Sequence, residues 1–478
     1  MTVKTETHID QLNLEATFAN LKSQAQLQRS EKISKRKDRL KRMLQWIEEH
    51  ESLIKTALYA DFKKPASEVD LAEILPVTTE IKHALNHLNN WVQPKKVDTP
   101  LTLLGSTSHI QYEPKGACLI ISPWNFPFNL ALAPLVSCLA AGNTAMVKPS
   151  EMTPNTAKLI QEMISDLFAP NEVSVVLGGV EASQSLLKLP FDHIFFTGSP
   201  QVGKIVMRAA AEHLASVTLE LGGKSPAIID QSTNIGDAAE KLAWGKFLNN
   251  GQTCIAPDYL LVHDSIQDRF LEELTAKVQG QFNANGNGFH NSPDYGRIVN
   301  RSHYNRLNEL LQDALAKGAH LVMGDNAIEE ENHIPPVILK NVPMDTRLME
   351  EEVFGPILPV ITFSSLDDAI QLINAKPKPL ALYYFGKSSK AKKIMLHETS
   401  SGGVCINDCV LHFTHSNLPF GGVNNSGIGK SHGYFGFLAF SNKKGVLKQR
   451  IGLTSSKMIY PPYSKFTRSI LSIIKKYL

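Results

Sequence analysis

From residue 117 to about 230 the sequence alternates short apolar runs with helical stretches, and this alternation constrains the fold more than any other feature. "ACLIIS" precedes "LALAPLVSCLAAGN", in which Gly142 reads as a helix stop. "TAMVKP", a helix over about 155–168, "VSVVL", a short helix, and "DHIFFTG" followed by "VGKIVMRAAAEHL" continue the pattern. Such spacing predicts a parallel sheet covered on both faces, with ligands bound at the carboxyl ends of its strands. A second alternating set, from about 235 to 405, includes "DYLLVHD", "ILPVITF" and "LALYYFG" and predicts a second α/β domain. Residues 10 to 93 read as helical. Their basic run, Lys35-Arg36-Lys37 with Arg39, Lys41 and Arg42, reads as a solvated helix face because acids follow at once.

A chain of 478 residues has room for two or three domains at about 150 residues each. Its 43% apolar and 20% charged content suits a large core, and a net charge of +3 is too small to suggest nucleic acid as a main partner. The N-terminus shows no basic segment leading into an apolar one, so no signal peptide is expected. There is no uninterrupted apolar run of about 18 residues to span a membrane. Five scattered cysteines do not make a disulfide framework, which points to a reducing cytoplasm. Cys118 and Cys138 lie in apolar contexts and read as core.

"FFTGSPQVGKI" (195–205) spells a phosphate-binding P-loop up to its last letter: Gly198, four residues, Gly203, Lys204. A P-loop then needs a Ser or Thr hydroxyl for Mg²⁺, and Ile205 cannot supply one. The usual dinucleotide fingerprint G-x-G-x-x-G is also absent. The segment still joins a strand to a helix, where backbone amides and the helix N-terminus attract phosphate. A P-loop ATPase is thus poorly supported, while a phosphorylated ligand remains plausible.

Several residue types with chemical potential stand at element ends. Cys254, in "FLNNGQTCIAPDYLLV", sits in a polar turn between helix and strand. It reads either as a small buried side chain or as a nucleophile. Glu220 ends a strand beside two glycines in "TLELGGKSP". Asn125 follows a strand in "SPWNFPFNLALAP", Lys148 ends another with Glu151 three residues on, and Glu352 precedes Phe354 in "EEVFGPILPV".

Taken together and in order, these segments resemble the aldehyde dehydrogenase superfamily from about residue 15 to about 450. "FTGSPQVGK", "GQTCIAPDY", "HFTHSNLPFGGVNNSGIG" and the late "YPPY" most resemble its class 3 branch of fatty and aromatic aldehyde dehydrogenases. The resemblance implies an α/β fold of two doubly wound parallel-sheet domains, a variant Rossmann cofactor domain and a catalytic domain, with a β-arm for oligomerisation. The implied boundaries are 1–98 and 115–220 for NAD(P) binding and 221–405 for catalysis. Residues 99–114 and 406–450 make the arm and substrate funnel, and 451–478 an amphipathic tail.

The resemblance also implies roles. Cys254 would attack the aldehyde and form a thiohemiacetal, because a carbonyl carbon is otherwise a poor hydride donor. Asn125 and the Cys254 backbone N–H would hold the oxyanion, and Glu220 would activate water to hydrolyse the thioester. Gly198, Ser199 and Gly203 would form the turn beside the dinucleotide pyrophosphate, leaving Lys204 no phosphate role. Lys148 and Glu151 would bind the adenosine ribose, and Glu352 and Phe354 the nicotinamide ribose and ring. A carboxylate at Glu151 favours NAD, and the class 3 branch uses NADP as well. Alternatives are a CoA-acylating dehydrogenase, against which Glu220 argues, and a non-catalytic protein of the same fold.

Other signals are weaker. Cys405, Cys409, His412 and His415 lack common zinc spacings, and no metal is expected. Phe126 reads as either tunnel lining or core. "LGSTSHIQYEPKG" (104–116) alternates like a protruding strand pair, which the resemblance makes a subunit contact in a homodimer. In the tail, Phe466, Ile470, Leu471, Ile473, Ile474 and Leu478 could share one helical face among Lys465, Arg468, Lys475 and Lys476. That pattern fits peripheral membrane contact, packing on a partner subunit, or capping of the active-site mouth.

Overall fold

The computed structural model describes residues 11–324, 327–452, 454–455, 457 and 460–477. The first ten residues of the expected cofactor domain and Leu478 of the expected apolar face lie outside them. The chain opens with helices Gln11–Gln28, Ile33–Glu49, Glu51–Phe62 and Leu75–Trp91. Their apolar positions recur every three to four residues; in the second helix Leu40, Met43, Trp46 and Ile47 are buried on one side. The basic run in that helix is not wholly solvated, contrary to its reading from sequence. Arg36 is buried and donates to the carbonyls of Ala140 and Ala141, which end the helix Asn129–Ala141. Arg39 is buried between Glu31 and Glu172. A guanidinium can satisfy terminal helix carbonyls that would otherwise lack donors.

Two strands, β1 (Lys95–Val97) and β2 (Thr107–Pro114), lead into the first large sheet. Its parallel members are β3 (Ala117–Ile121), β4 (Thr144–Lys148), β5 (Val173–Val175), β6 (His193–Gly198) and β7 (Ser216–Leu221), ordered β7-β6-β3-β4-β5. Alternate residues along β3 enter different cores: Cys118 and Ile120 one, Ala117, Leu119 and Ile121 the other. Both faces are therefore covered, which is why these strands read as unbroken apolar runs. The order reverses between β3 and β6, so the crevice at their carboxyl ends is where such sheets bind ligands.

The second sheet holds β8 (Pro226–Ile229), β9 (Tyr259–His263), β10 (His320–Met323), β11 (Val337–Lys340), β12 (Ile357–Phe363), β13 (Ala381–Phe385) and β14 (Gly403–Ile406). Its order is β10-β11-β12-β9-β8-β13-β14, parallel except for β10 at the edge. Two separate cores flank it, with Tyr383 in one and its neighbours Leu382 and Tyr384 in the other.

The last strands return to earlier parts of the molecule. β15 (Gly427–Ile428) pairs antiparallel with β7 and sets Gly427 opposite Glu220. β16 (Ser441–Lys448) pairs antiparallel with the whole of β2, and β1 pairs with the other edge of β2. Residues 104–116 thus contribute one strand to a three-stranded ribbon, not a strand pair. Alternation identifies a strand, but its partners lie far away in the sequence.

Candidate active site

The chain passes from the helix Ile235–Phe247 to Cys254 through an unusual turn. Asn249, Asn250 and Gly251 all take left-handed backbone angles, with φ of 53°, 54° and 69°. Asparagine tolerates this conformation better than most residues; here Asn249 donates locally to the Gln252 carbonyl, and Asn250 donates to the distant Gly296 carbonyl. A Cβ on Gly251 would strike the carbonyl oxygen of Gly355, so the Cys254 turn and the Phe354 loop are in direct contact. Asn249 donates its amide to the backbone carbonyl of Asn125 at 2.8 Å. Asn125, in the loop after β3, donates its own amide to the Gln252 carbonyl at 2.9 Å. That bond uses one of two amide hydrogens and fixes the side chain near Cys254.

Cys254 stands where two cavities meet. One is a funnel of about 320 Å³, lined by Leu75, Phe126, Trp244, Val410, Phe413 and Phe420 among others. The other is a cleft of about 230 Å³ at the carboxyl ends of β3 and β6, lined by Trp124, Asn125, Gly198, Ser199, Glu352 and Phe354 among others. Glu220 and Cys254 line both. The backbone N–H groups of Cys254 and Ile255 are directed at the sulfur, yet burial, with Glu352 and Glu220 nearby, pushes the thiol above its ordinary range.

Glu220 is buried and accepts a hydrogen bond from the Ser431 hydroxyl. Burial pushes its carboxyl up to about 7, against the opposing effects of Ser431 and Lys430. Glu352 is pushed up to about 8, by burial first and by Asp258 second, against the N–H of Gly223. Near neutral pH each of these acids can therefore stand either protonated or ionised.

The cleft assembles some expected residues and not others. Gly198 and Ser199 line it, and Ser199 caps the helix Pro200–Glu212 by accepting from the N–H of Val202. Gly203 lies one turn into that helix, where a Cβ would press into Leu221; there it allows close helix–strand packing. Lys204 is exposed. Lys148, buried at the end of β4, pairs with Glu151 at 2.6 Å, beyond the residues that line the cleft.

Sequence reasoning missed three cleft residues. Trp124 packs edge-on against Phe354, with ring centroids 5.4 Å apart, and against His303 at 4.8 Å. Arg306 donates to the carbonyls of Glu352 at 3.2 Å and Val353 at 2.6 Å, holding the loop in which Phe354 takes a positive φ of 47°. His303 and Arg306 belong to the helix Arg301–Ala316, whose polar pattern reads as an ordinary solvent face. Phe126 serves both of its readings: it lines the funnel, and the Lys64 ammonium lies 4.1 Å from its ring centroid. Cys118 and Cys138 are fully buried. Cys409 is buried beside Gly245, and His412 faces the Tyr383 ring. Among the described residues, no group of three His, Cys, Asp or Glu side chains is placed to hold a metal ion.

The model of the aldehyde dehydrogenase family matches residues 2–446. The chain is 45% identical to 4,4'-diaponeurosporen-aldehyde dehydrogenase of Staphylococcus aureus, over 95% of this chain and 97% of that one. It is 41% identical to mouse aldehyde dehydrogenase family 3 member A2, over 91% and 89%. A substrate-bound structure of Staphylococcus aureus AldH superimposes with a TM-score of 0.92 at 44% identity, covering 96% of this chain and 99% of that one. An indole-3-acetaldehyde dehydrogenase complexed with NAD+ does so with a TM-score of 0.84 at 26% identity, covering 92% and 90%. The chain belongs to the aldehyde dehydrogenase family.

Proposed function

We propose that this protein oxidises apolar aliphatic or aromatic aldehydes to carboxylic acids with NAD or NADP, through a thioester on Cys254. One observation carries the reading: a half-buried thiol stands at the junction of an apolar funnel and a more polar cleft, with a buried carboxyl facing both. The aldehyde enters by the funnel and the dinucleotide lies in the cleft. Its fit there rests on the crevice between β3 and β6, the helix start at Ser199, and the close approach of backbone at Gly222, where a Cβ would meet the Glu352 carboxylate.

Cys254 gives up its proton to water in the funnel, and its sulfur bonds to the carbonyl carbon as the carbonyl electron pair moves onto oxygen. The remaining amide hydrogen of Asn125 and the Cys254 backbone N–H hold the resulting oxyanion. One such donor is worth about 3–4 kcal/mol in a transition state. A dinucleotide held in the cleft by Glu352 and Phe354 would supply the acceptor for the hydride that the thiohemiacetal loses. Glu220 then takes a proton from water as the water oxygen attacks the thioester, and the acid leaves with Cys254 restored.

The six-stranded sheet, with helices from 11–91, serves as the cofactor domain, and the seven-stranded sheet with the turn at Cys254 as the catalytic one. Glu151 receives the adenosine ribose hydroxyls, favouring NAD without excluding NADP, and Gly198 and Ser199 flank the pyrophosphate. Glu352 and Phe354 hold the nicotinamide ribose and ring. The working assembly is a homodimer joined through the ribbon of β1, β2 and β16, whose outer strands β1 and β16 are mostly exposed around a half-buried β2. An exposed ribbon of this kind is marginal alone and gains stability from a partner.

In the tail helix Lys465–Tyr477, Phe466 and Ile473 are exposed beside Lys465, Arg468, Lys475 and Lys476. This helix supports contact with an anionic membrane surface. Among the described residues no helix is long and apolar enough to cross a membrane.

The test is nicotinamide reduction by the purified protein with aldehydes from short aliphatic to long-chain and aromatic, with NAD and NADP in parallel. Turnover that Cys254→Ala abolishes, with free acid as product, supports the reading. Acyl-CoA as the required product, or turnover untouched by Cys254→Ala, contradicts it.

A further inference from the structure

Glu80 is a buried acid that the reaction above leaves unused. It projects from the helix Leu75–Trp91 and is 7% exposed. Its carboxylate accepts from the Gly433 N–H at 2.8 and 3.1 Å and from the Ser137 hydroxyl at 3.4 Å, all neutral donors. Two imidazoles lie close by. His83, one turn along the same helix, lies across Gly433 from it, and His432 lines the same chamber. Burial lowers the proton affinity of both rings, His432 to about 4, so neither carries charge near neutral pH. No lysine or arginine pairs with Glu80 among the salt bridges of the described residues.

A small chamber of about 20 Å³ connects this acid to the hydrolytic base. Glu80, Asn129, Ser137, Glu220, Ser431 and His432 contribute to its wall. That volume suffices for one water, and the wall supplies the two to four polar partners a buried water needs. Ser431, on this wall, already donates to Glu220. Glu80 also lines the apolar funnel.

The chamber answers a need that the hydrolysis step creates. A base that takes a proton from water must lose it before the next cycle. At that moment the acyl chain fills the funnel and the nicotinamide fills the cleft. The chamber is a further cavity that Glu220 lines, apart from the funnel and the cleft.

We infer that Glu80 receives the proton that Glu220 removes from the hydrolytic water, through the Ser431 hydroxyl and one water held in the chamber. The inference rests on the role proposed for Glu220. The Glu220 carboxyl donates its proton to the Ser431 oxygen, the Ser431 hydroxyl proton passes to the chamber water, and that water protonates Glu80. No bond other than O–H changes and nothing is oxidised. When the acid departs and water refills the funnel, Glu80 releases the proton to it. Both carboxyls are pushed up to about 7, so the transfer is nearly balanced in either direction.

The experiment is rapid mixing of the purified enzyme with NAD and an aldehyde that gives measurable turnover, in Glu80→Gln and Ser431→Ala. Glutamine retains an oxygen to accept from Gly433, and the serine change probes the path from its other end if Glu80→Gln does not fold. The first-turnover burst of reduced nicotinamide is expected at wild-type rate and amplitude. Steady turnover falls on the order of tenfold, within what a proton-transfer group contributes, and its pH profile loses the limb near 7. The double variant is no slower than the worse single one, since both interrupt one path. Wild-type steady turnover and pH profile in both variants overturn the inference, as does a burst reduced in parallel with turnover, which marks a structural role. Glu220→Gln and Cys254→Ala run alongside: if Glu220→Gln still hydrolyses at the wild-type rate or Cys254→Ala still turns over, it is the underlying reading that fails.

Discussion

Glu220 holds its proton more tightly than an ordinary carboxyl because burial disfavours its charge, and the hydroxyl of Ser431 only partly compensates. Only the ionised form can accept a proton from water. Thioester hydrolysis therefore speeds up as pH rises through about 7 and slows below it, the opposite of a step needing an acid. Single-turnover acid release between pH 5.5 and 8.5 checks this, and Glu220→Gln should flatten the profile while lowering it. Arg306 acts at one remove, by holding the carbonyls of Glu352 and Val353. Hydrogen bonds to a charged group are worth about 1.5–3 kcal/mol, so Arg306→Leu should raise KM for the dinucleotide by roughly ten- to a hundredfold. KM for the aldehyde should change little in the same steady-state assay. Cys254, Glu220 and Asn125, which the structure brings to one cleft, stood out in the sequence through the family resemblance of their surrounding strings; local context alone left Cys254 and Glu220 with ordinary readings. Arg306 and Glu80 did not stand out. An arginine that points inward and a glutamate that is buried look like any other charge on an amphipathic helix.

Among the elements, the segment from Lys64 to Glu73 bears most directly on the site. Lys64 and Glu73 are fully buried side chains joined at 2.5 Å, and this stretch includes the wider turn Asp70–Ile74, a π-helix of the kind often found beside functional residues. Lys64 also donates to the Asn125 carbonyl at 3.1 Å, and Glu73 accepts from the Asn129 N–H at 2.9 Å. Together they brace both ends of the loop that carries Asn125. Removing one partner leaves a buried charge unpaired, so Lys64→Met should destabilise the protein by about 3–5 kcal/mol in urea unfolding. Glu73→Leu added to it should recover most of that loss. Apolar runs located β3, β4, β5 and β6 of the first sheet and β9, β12 and β13 of the second, since covered strands read as apolar runs. They could not locate the partners of β2, which come from 95–97 and from 441–448. Nor could they show that Arg36 and Arg39 turn inward, because a helix end at Ala140–Ala141 and Glu172, which receive them along with the nearby Glu31, lie over a hundred residues away.

On the scale of the whole molecule, the site exists only because distant segments converge. Asn125 follows a strand of one sheet, Cys254 precedes a strand of the other, and β15 returns from residue 427 to lie beside Glu220. The β1–β2–β16 ribbon stands largely exposed, with Val97 and Leu447 open to solvent. If it joins two subunits, Val97→Asp with Leu447→Asp should shift sedimentation from a two-chain to a one-chain mass while the burst at Cys254 persists. The central claim is that both cavities serve one covalent intermediate at Cys254, and trapping that intermediate tests it most directly. Glu220→Gln would be mixed with NAD and a fatty aldehyde, quenched in acid, digested and weighed. The claim predicts one acyl group on the peptide containing Cys254, with one reduced nicotinamide per site and no adduct in Cys254→Ala. An acyl group on another residue, or nicotinamide reduction that continues in Cys254→Ala, would contradict it.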